Sequence, residues 1–422
     1  MLLLAVAAAA YAAAGGLDPN FSGDGKVTTD LSTRGDFAAA VAVQANGKIV
    51  VAGSAAYDTT DPKWALTRYK AGGAIDTSFG GGDGKVITNF TSGEDAVYGL
   101  AIQSDGKIVA AGDAGLRTGN SKFALARYDS DGTLDPSFGG GDGKVRTNFT
   151  TGDDEVSSLA LQPGGEILVA GGSAQNRANP KVAVARYLPD GSLDPTFSGD
   201  GKVATDLSAA KDYANAAVLQ NDGKIVVGGL AAVSGSRASF ELIRYENDGS
   251  LDTTFSGNGK LSTNFTSRDD SVQGIVVRSD LDIVAGGIAG SGGSNAKFAL
   301  AYYQPDGTLD PSFGGDDGKV MTDITRGYDA AWDLVIQPDD KVVAGGEVSG
   351  SGGRFAAARY LVNGRLDPDF GGDGKVTVNF TTRSDFAFGL ARQPVDGNLV
   401  LVGGSGWGGS NPKFAVARLL DE

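Results

Sequence analysis

Short apolar stretches, in which β-branched and aromatic positions alternate with small ones, recur along the whole chain and are separated by glycine and Asx turns. That alternation fits pleated, half-buried strands better than helices. Four such stretches follow one another as GKVITNF from Gly84, DAVYGLAIQ from Asp95, GKIVAAG from Gly106 and KFALARY from Lys122. The same order returns throughout, punctuated by a corner motif. LDPNF at Leu17 reappears as IDTSF at Ile75, LDPSF at Leu134, LDPTF at Leu193, LDTTF at Leu251, LDPSF at Leu309 and LDPDF at Leu366. The 422 residues therefore divide into a leading segment, 1–16, and seven copies of 57–59 residues that fill 17–422.

Four strands per copy make one antiparallel meander. A lone four-stranded sheet with two apolar faces cannot satisfy itself, whereas seven packed face to face around an axis bury both faces and leave only short edges. The expected fold is all-β, a seven-bladed β-propeller with four antiparallel strands per blade, and an open solenoid is the alternative. The run LDPSFGGGDGKV from Leu134, QSDGKIVAAG from Gln103 and KFALARYDSDGTLD from Lys122 resembles the delta-sixty repeat family of bacterial β-propeller-like proteins. The resemblance covers all seven copies. It implies tandem repeats in bacterial, often secreted or surface-associated proteins, and it brings no active site with it.

Most recurring polar residues read as scaffold. Asp18, Asp76, Asp135, Asp194, Asp252, Asp310 and Asp367 follow the first residue of each corner motif, where a carboxylate organises a turn by accepting backbone N–H groups. A second series, Asp36, Asp95, Asp154, Asp212, Asp270, Asp329 and Asp385, opens the second strand of each copy and suits a turn cap. Arg68, Arg127, Arg186, Arg244, Arg359 and Arg418 are expected to pair with one of these acids between blades, and Tyr302 to break that tie in the fifth copy. The NFT triplets at Asn89, Asn148, Asn264 and Asn379 match a glycan acceptor, but Asp30, Asp206 and Asp323 replace the Asn in other copies. That exchange keeps an Asx turn and destroys a glycan site.

Composition closes several chemistries. Without cysteine or histidine there is no disulfide, thiolate, imidazole base or histidine-ligated metal. A formal charge of −15 argues against a nucleic-acid partner. No cofactor is expected; calcium at Asp129, Asp131 and Asp135 is the alternative, weakened because the other copies lack the first acid. GGGDGKV lacks the lysine-serine end of a phosphate loop and leads into a strand.

Function is then expected where the copies differ, in loops on a rigid scaffold. The most variable connection joins the third and fourth strands, and it presents Tyr57, Arg117, Asn176, Arg177, Arg237, Glu347 and Trp407 as a candidate contact set on one rim. Polar or bulky departures from the repeat at Glu166, Glu241, Leu281, Tyr302, Trp332 and Asp333 form no recognisable constellation in sequence. The leading segment MLLLAVAAAAYAAAGG reads as a signal-like stretch or as an extra or clasp strand over Val6 to Tyr11, with Gly15 in register with Gly132; its many alanines also suit a placeholder sequence. The expectation is a non-catalytic binding or assembly module, secreted or on the cell surface, with the periplasm as a variant. Its partner is a protein or a glycan, with self-assembly or an accessory-subunit role through a surplus strand, no nucleic acid and no membrane span. A carboxylate-based carbohydrate-active enzyme, glycosidase or lyase, is the alternative.

Overall fold

Each stretch read as a strand within the seven copies is a strand in the computed structural model, which describes residues 13–177, 179–232, 237–349 and 352–422. Among them are twenty-eight strands in seven four-stranded antiparallel sheets and no helix, hence none long and apolar enough to cross a membrane. The first blade runs outward from Phe37–Val43 through Ile49–Ala55 and Lys63–Tyr69 to Lys85–Thr88. The last runs from Ser384–Arg392 through Leu399–Trp407 and Lys413–Leu419 to Lys26–Thr29.

The blades are therefore out of phase with the sequence copies. Each takes its three inner strands from one copy and its outer strand from the next, so a copy is not itself a meander. This offset closes the ring. Lys26–Thr29 pairs antiparallel with Lys413–Leu419, Lys26 opposite Ala417 and Thr29 opposite Phe414, which excludes the open solenoid. The two chain ends also build one corner together, with Gly15 donating to the Leu420 carbonyl and Leu420 to that of Gly16. Gly15 takes the left-handed conformation of Gly132, as its register predicts. The clasp strand expected over Val6 to Tyr11 lies outside the described residues.

Seven large apolar clusters, each shared by two neighbouring blades, make up most of the core, with a small eighth, Ile288, Ala296 and Ala330, between the fifth and sixth blades. The ring thus has no single centre of packing. A tyrosine that ends the third strand of a blade reaches the preceding blade's outer strand, as Tyr69 to Thr29 at 2.6 Å and Tyr245 to Thr205 at 2.6 Å. In the closing blade Leu419 replaces the tyrosine and Val378 the threonine, and both join one apolar cluster. Exchanging both partners together leaves no buried hydroxyl unpaired.

On the lower face, the side of the LDPxF corners, six arginines place Nε or Nη2 2.7–2.9 Å from the corner aspartate of their own blade. The expected pairing between blades is corrected accordingly: the ion pair is internal. It is the Nη1 of Arg68, Arg127, Arg186, Arg244, Arg359 and Arg418 that crosses, donating to a carbonyl of the next blade, while the guanidinium lies 4.6–4.9 Å from a corner phenylalanine ring. Tyr302 does remove the pair in the fifth blade. There Arg278, standing where other copies have Gln, lies over the Tyr302 ring at 5.6 Å and reaches Asp340 of the sixth blade at 3.1 Å. Two departures that look unrelated in sequence restore one tie.

Lysines back up this corner in most copies, Lys107 binding both Asp129 at 2.9 Å and Asp135 at 2.8 Å. An ammonium thus occupies the place a calcium ion would need there. The third copy has Glu166 in that register, leaving Arg186 as the cation on Asp194. Arg186→Met is accordingly expected to cost about 2 kcal/mol and Arg127→Met about half as much, read from urea unfolding midpoints. Equal losses would show that the lysine contributes nothing.

Candidate functional site

The inner strand of every blade begins at a fully buried aspartate. Asp95 accepts the N–H groups of Phe90 at 2.9 Å, Thr91 at 3.0 Å and Gly115 at 3.0 Å, and the Thr91 hydroxyl at 2.8 Å. Asp36, Asp154, Asp270 and Asp385 repeat the four-bond set. This is the cap expected from sequence. It fixes the start of the strand and so the register of the residues beyond it.

Three residues further on, each inner strand has a β-bulge. The bulged residue has no partner on the second strand and turns out of the pleat. Opposite every bulge the second strand carries glycine. A Cβ on Gly112 would come within 2.0 Å of the Ala96 carbonyl oxygen, and one on Gly229 within 1.9 Å of that of Tyr213. The glycine that recurs in each third sequence stretch is therefore the counterpart of the bulge. The residues so aimed at the axis are Ala39, Tyr98, Ser157, Asn215, Gln273, Trp332 and Phe388, no two alike.

They line a chamber of about 810 Å³ that opens among the loops of the upper face. One wall is aromatic. Phe388 meets Phe37 edge to face at 4.6 Å and Trp332 at 5.4 Å, and Trp407 continues the arc from Phe37 at 5.8 Å to Tyr57 at 4.7 Å. The opposite wall is acidic, with Glu94, Asp113, Asp153 and Glu155 from the second and third blades beside Tyr98 and Tyr213. Arg117 binds Glu94 at 2.9 Å, and the Lys211 ammonium lies 5.5 Å from the Tyr213 ring centre.

Asp113 is 2% exposed, and its Oδ1 accepts the Val156 N–H from the next blade at 2.6 Å. Burial, reinforced by the charges of Glu155, Glu94 and Asp153, raises its pKa well above the ordinary carboxylate range despite that bond. Burial also raises Glu155, with Lys211 opposing. Across the chamber Asp333 accepts the N–H of Leu390 at 2.9 Å and of Leu334 at 2.8 Å, tying the sixth blade to the seventh; burial still lifts it to about 7. Glu347, beside the Trp332 indole, is lifted by burial to about 7. Burial thus raises the pKa of carboxyls on both sides of the chamber, Asp113 and Glu155 on one wall and Asp333 on the other.

Of the residues singled out in sequence, Arg117 lines the chamber and Tyr57 and Trp407 extend its aromatic wall. Glu347 stands behind Trp332. Asn176 and Arg177 are loop staples, Asn176 bonding Gly119 and Asp153 at 3.2 and 3.1 Å and Arg177 the Thr151 carbonyl at 3.3 Å, and Arg237 is exposed. Trp332 and Asp333, scattered departures in sequence, are adjacent members of the chamber. Sequence reasoning missed Tyr98, Asp113, Glu155, Tyr213 and Phe388. For Tyr98 and Phe388 the signal was the changing residue three places after each capping aspartate; Glu155 and Tyr213 directly follow their caps, and Asp113 lies on a second strand.

No curated protein matches the chain. Among solved structures, the extracellular domains 1–2 of Drosophila Semaphorin 1a superpose with a TM-score of 0.53 at 9% identity, over 94% of this chain and 88% of that one. Polysaccharide lyase Uly1 does so at 0.50 and 11% identity, over 93% and 91%. A virginiamycin B lyase from Staphylococcus aureus gives 0.49 at 10% identity, over 93% and 98%. At such identities the likeness is one of fold. The family described as "Domain of unknown function (DUF5122) beta-propeller" matches residues 44–79, 103–138, 162–197, 220–255, 282–313 and 337–370. Each stretch begins at or near the Gln position and ends at or near the corner phenylalanine, so a seventh would start at Gln393 and finish at Phe21, divided by the chain ends. The chain belongs to a β-propeller repeat family.

Proposed function

We propose that this protein is a binding module of a secreted or cell-surface protein of the delta-sixty repeat type, and that it takes a glycan or glycan-sized ring compound into the axial chamber from the upper rim. The observation that carries this reading is the axis series. A ring that served only as scaffold would have reason to repeat the bulged residue, yet that position differs in every blade while the caps, glycines and corners around it persist. The chamber volume falls in the range of small-ligand sites, and a wall of edge-to-face aromatics opposite polar groups suits the apolar face and hydroxyls of a sugar. In a binding screen followed by tryptophan fluorescence, Trp332→Ala and Phe388→Ala are each expected to weaken a hit at least tenfold, and Arg237→Ala to leave it unchanged. Equal loss with Arg237→Ala, or none with the aromatic variants, would move the site to the loops.

A second reading, a carboxylate-based carbohydrate-active enzyme, is favoured by Asp113, a buried carboxyl whose surroundings raise its proton affinity, in the same wall as Glu155. Release of new sugar ends by the protein, abolished in Asp113→Asn, would establish it.

A further inference from the structure

We infer that the chamber selects a cationic ring compound, one bearing a protonated amine, with the amino sugars as its glycan form. The inference rests on the chamber being the binding site and names what enters it. The acidic wall has four carboxyls, and the two cations near it are already engaged, Arg117 with Glu94 at 2.9 Å and Lys211 over the Tyr213 ring at 5.5 Å. A glycan carrying its own carboxylates would meet like charge in a partly desolvated site, where repulsion is poorly screened.

Independent of the charge count, Asp113 is an incompletely satisfied group. It is 2% exposed and lines the chamber, yet only its Oδ1 has a hydrogen bond, from Val156; among the described residues Oδ2 has none. An ammonium donating to Oδ2 would pair this second oxygen and displace to solvent the proton that burial favours on the free carboxyl. The Tyr98 and Tyr213 rings that flank this wall would hold the same ammonium by their π faces, while Trp332 and Phe388 cover the uncharged side of the ligand. The two walls together therefore ask for a ligand that is charged on one side and apolar on the other.

The test compares three probes on the whole protein by calorimetry at about pH 6, where an amine is protonated: a glucosamine dimer, its N-acetylated form and a uronic acid dimer. The free amine is expected to bind at least tenfold tighter than the N-acetylated dimer, the uronic acid not to bind, and the preference to shrink with added salt. Asp113→Asn and, separately, Glu155→Gln should cut the preference for the free amine over the N-acetylated dimer below about threefold. If the N-acetylated dimer binds as tightly as the amine, with Trp332→Ala still abolishing both, cation selection is overturned and the chamber reading stands. If no probe binds in a Trp332-dependent way, both fall together.

Discussion

Gly229→Ala is expected to destabilise the protein by about 3 kcal/mol or more, although it adds one methyl group to a residue in ordinary extended conformation. The added carbon would lie 1.9 Å from the Tyr213 carbonyl oxygen and 2.8 Å from the Ala214 Cα, and both are backbone atoms that no rotamer change can move. The second strand of the fourth blade must then separate from the inner strand, or the inner strand must give up its bulge. Either outcome breaks paired backbone in the interior, and the second also turns Asn215 away from the axis. Gly223→Ala is the control. Its turn has positive φ but nothing within 4 Å of the new carbon, so only the left-handed backbone is penalised, by about 1 kcal/mol. Unfolding midpoints in urea give both values, and a Gly229→Ala loss no larger than that of Gly223→Ala would mean that the bulge does not depend on the glycine.

This dependence also explains what could and could not be seen from sequence. The strands, their number and the capping role of Asp36 and its counterparts were legible, because alternation, glycine punctuation and a repeated acid each act within a few residues. The chamber was not. A bulge breaks the two-residue alternation at one position, so Tyr98 or Phe388 reads as one more strand residue beside Val97 or Ala387, although it points elsewhere. The variable upper loops drew attention because they vary in length as well as in residue, and they do surround the chamber mouth through Arg117. The arginine ties were read correctly as corner chemistry, but their direction was not, since the distinction between Nε inward and Nη1 across depends on how far one blade lies from the next. The compensation between Tyr302 and Arg278 was hidden for the same reason: the two residues meet only once the sheet has folded.

Stability is expected to be greatest near pH 5 and to fall by a few kcal/mol as the pH rises to 8. On the acid side, burial works against Asp76, Asp135 and Asp252, but hydrogen bonds from Lys48, Lys107 and Lys224 and the neighbouring arginines hold all three well below the ordinary value. A depressed carboxyl stabilises the fold above its unfolded pKa, about 3.9, and that contribution is lost as the pH falls through the folded value. Glu241, Asp333 and Glu347 act in the opposite sense. Burial lifts each to about 7, so between the ordinary carboxylate range and neutrality the folded chain holds protons that the unfolded chain has released. Stability must then decrease with rising pH across that interval, on the order of 1–2 kcal/mol per carboxyl once partial hydration is allowed for. Asp113 and Glu155 are shifted in the same direction. The window is unusually clean, because a chain without histidine or cysteine has no other side chain whose ordinary pKa falls between 5 and 8. Urea unfolding at one-unit steps from pH 5 to 8 measures the slope, and the triple variant Glu241→Gln, Asp333→Asn, Glu347→Gln should flatten most of it. A profile that rises toward pH 8, or a slope unchanged in the triple variant, would place these three carboxyls in contact with water and overturn the linkage.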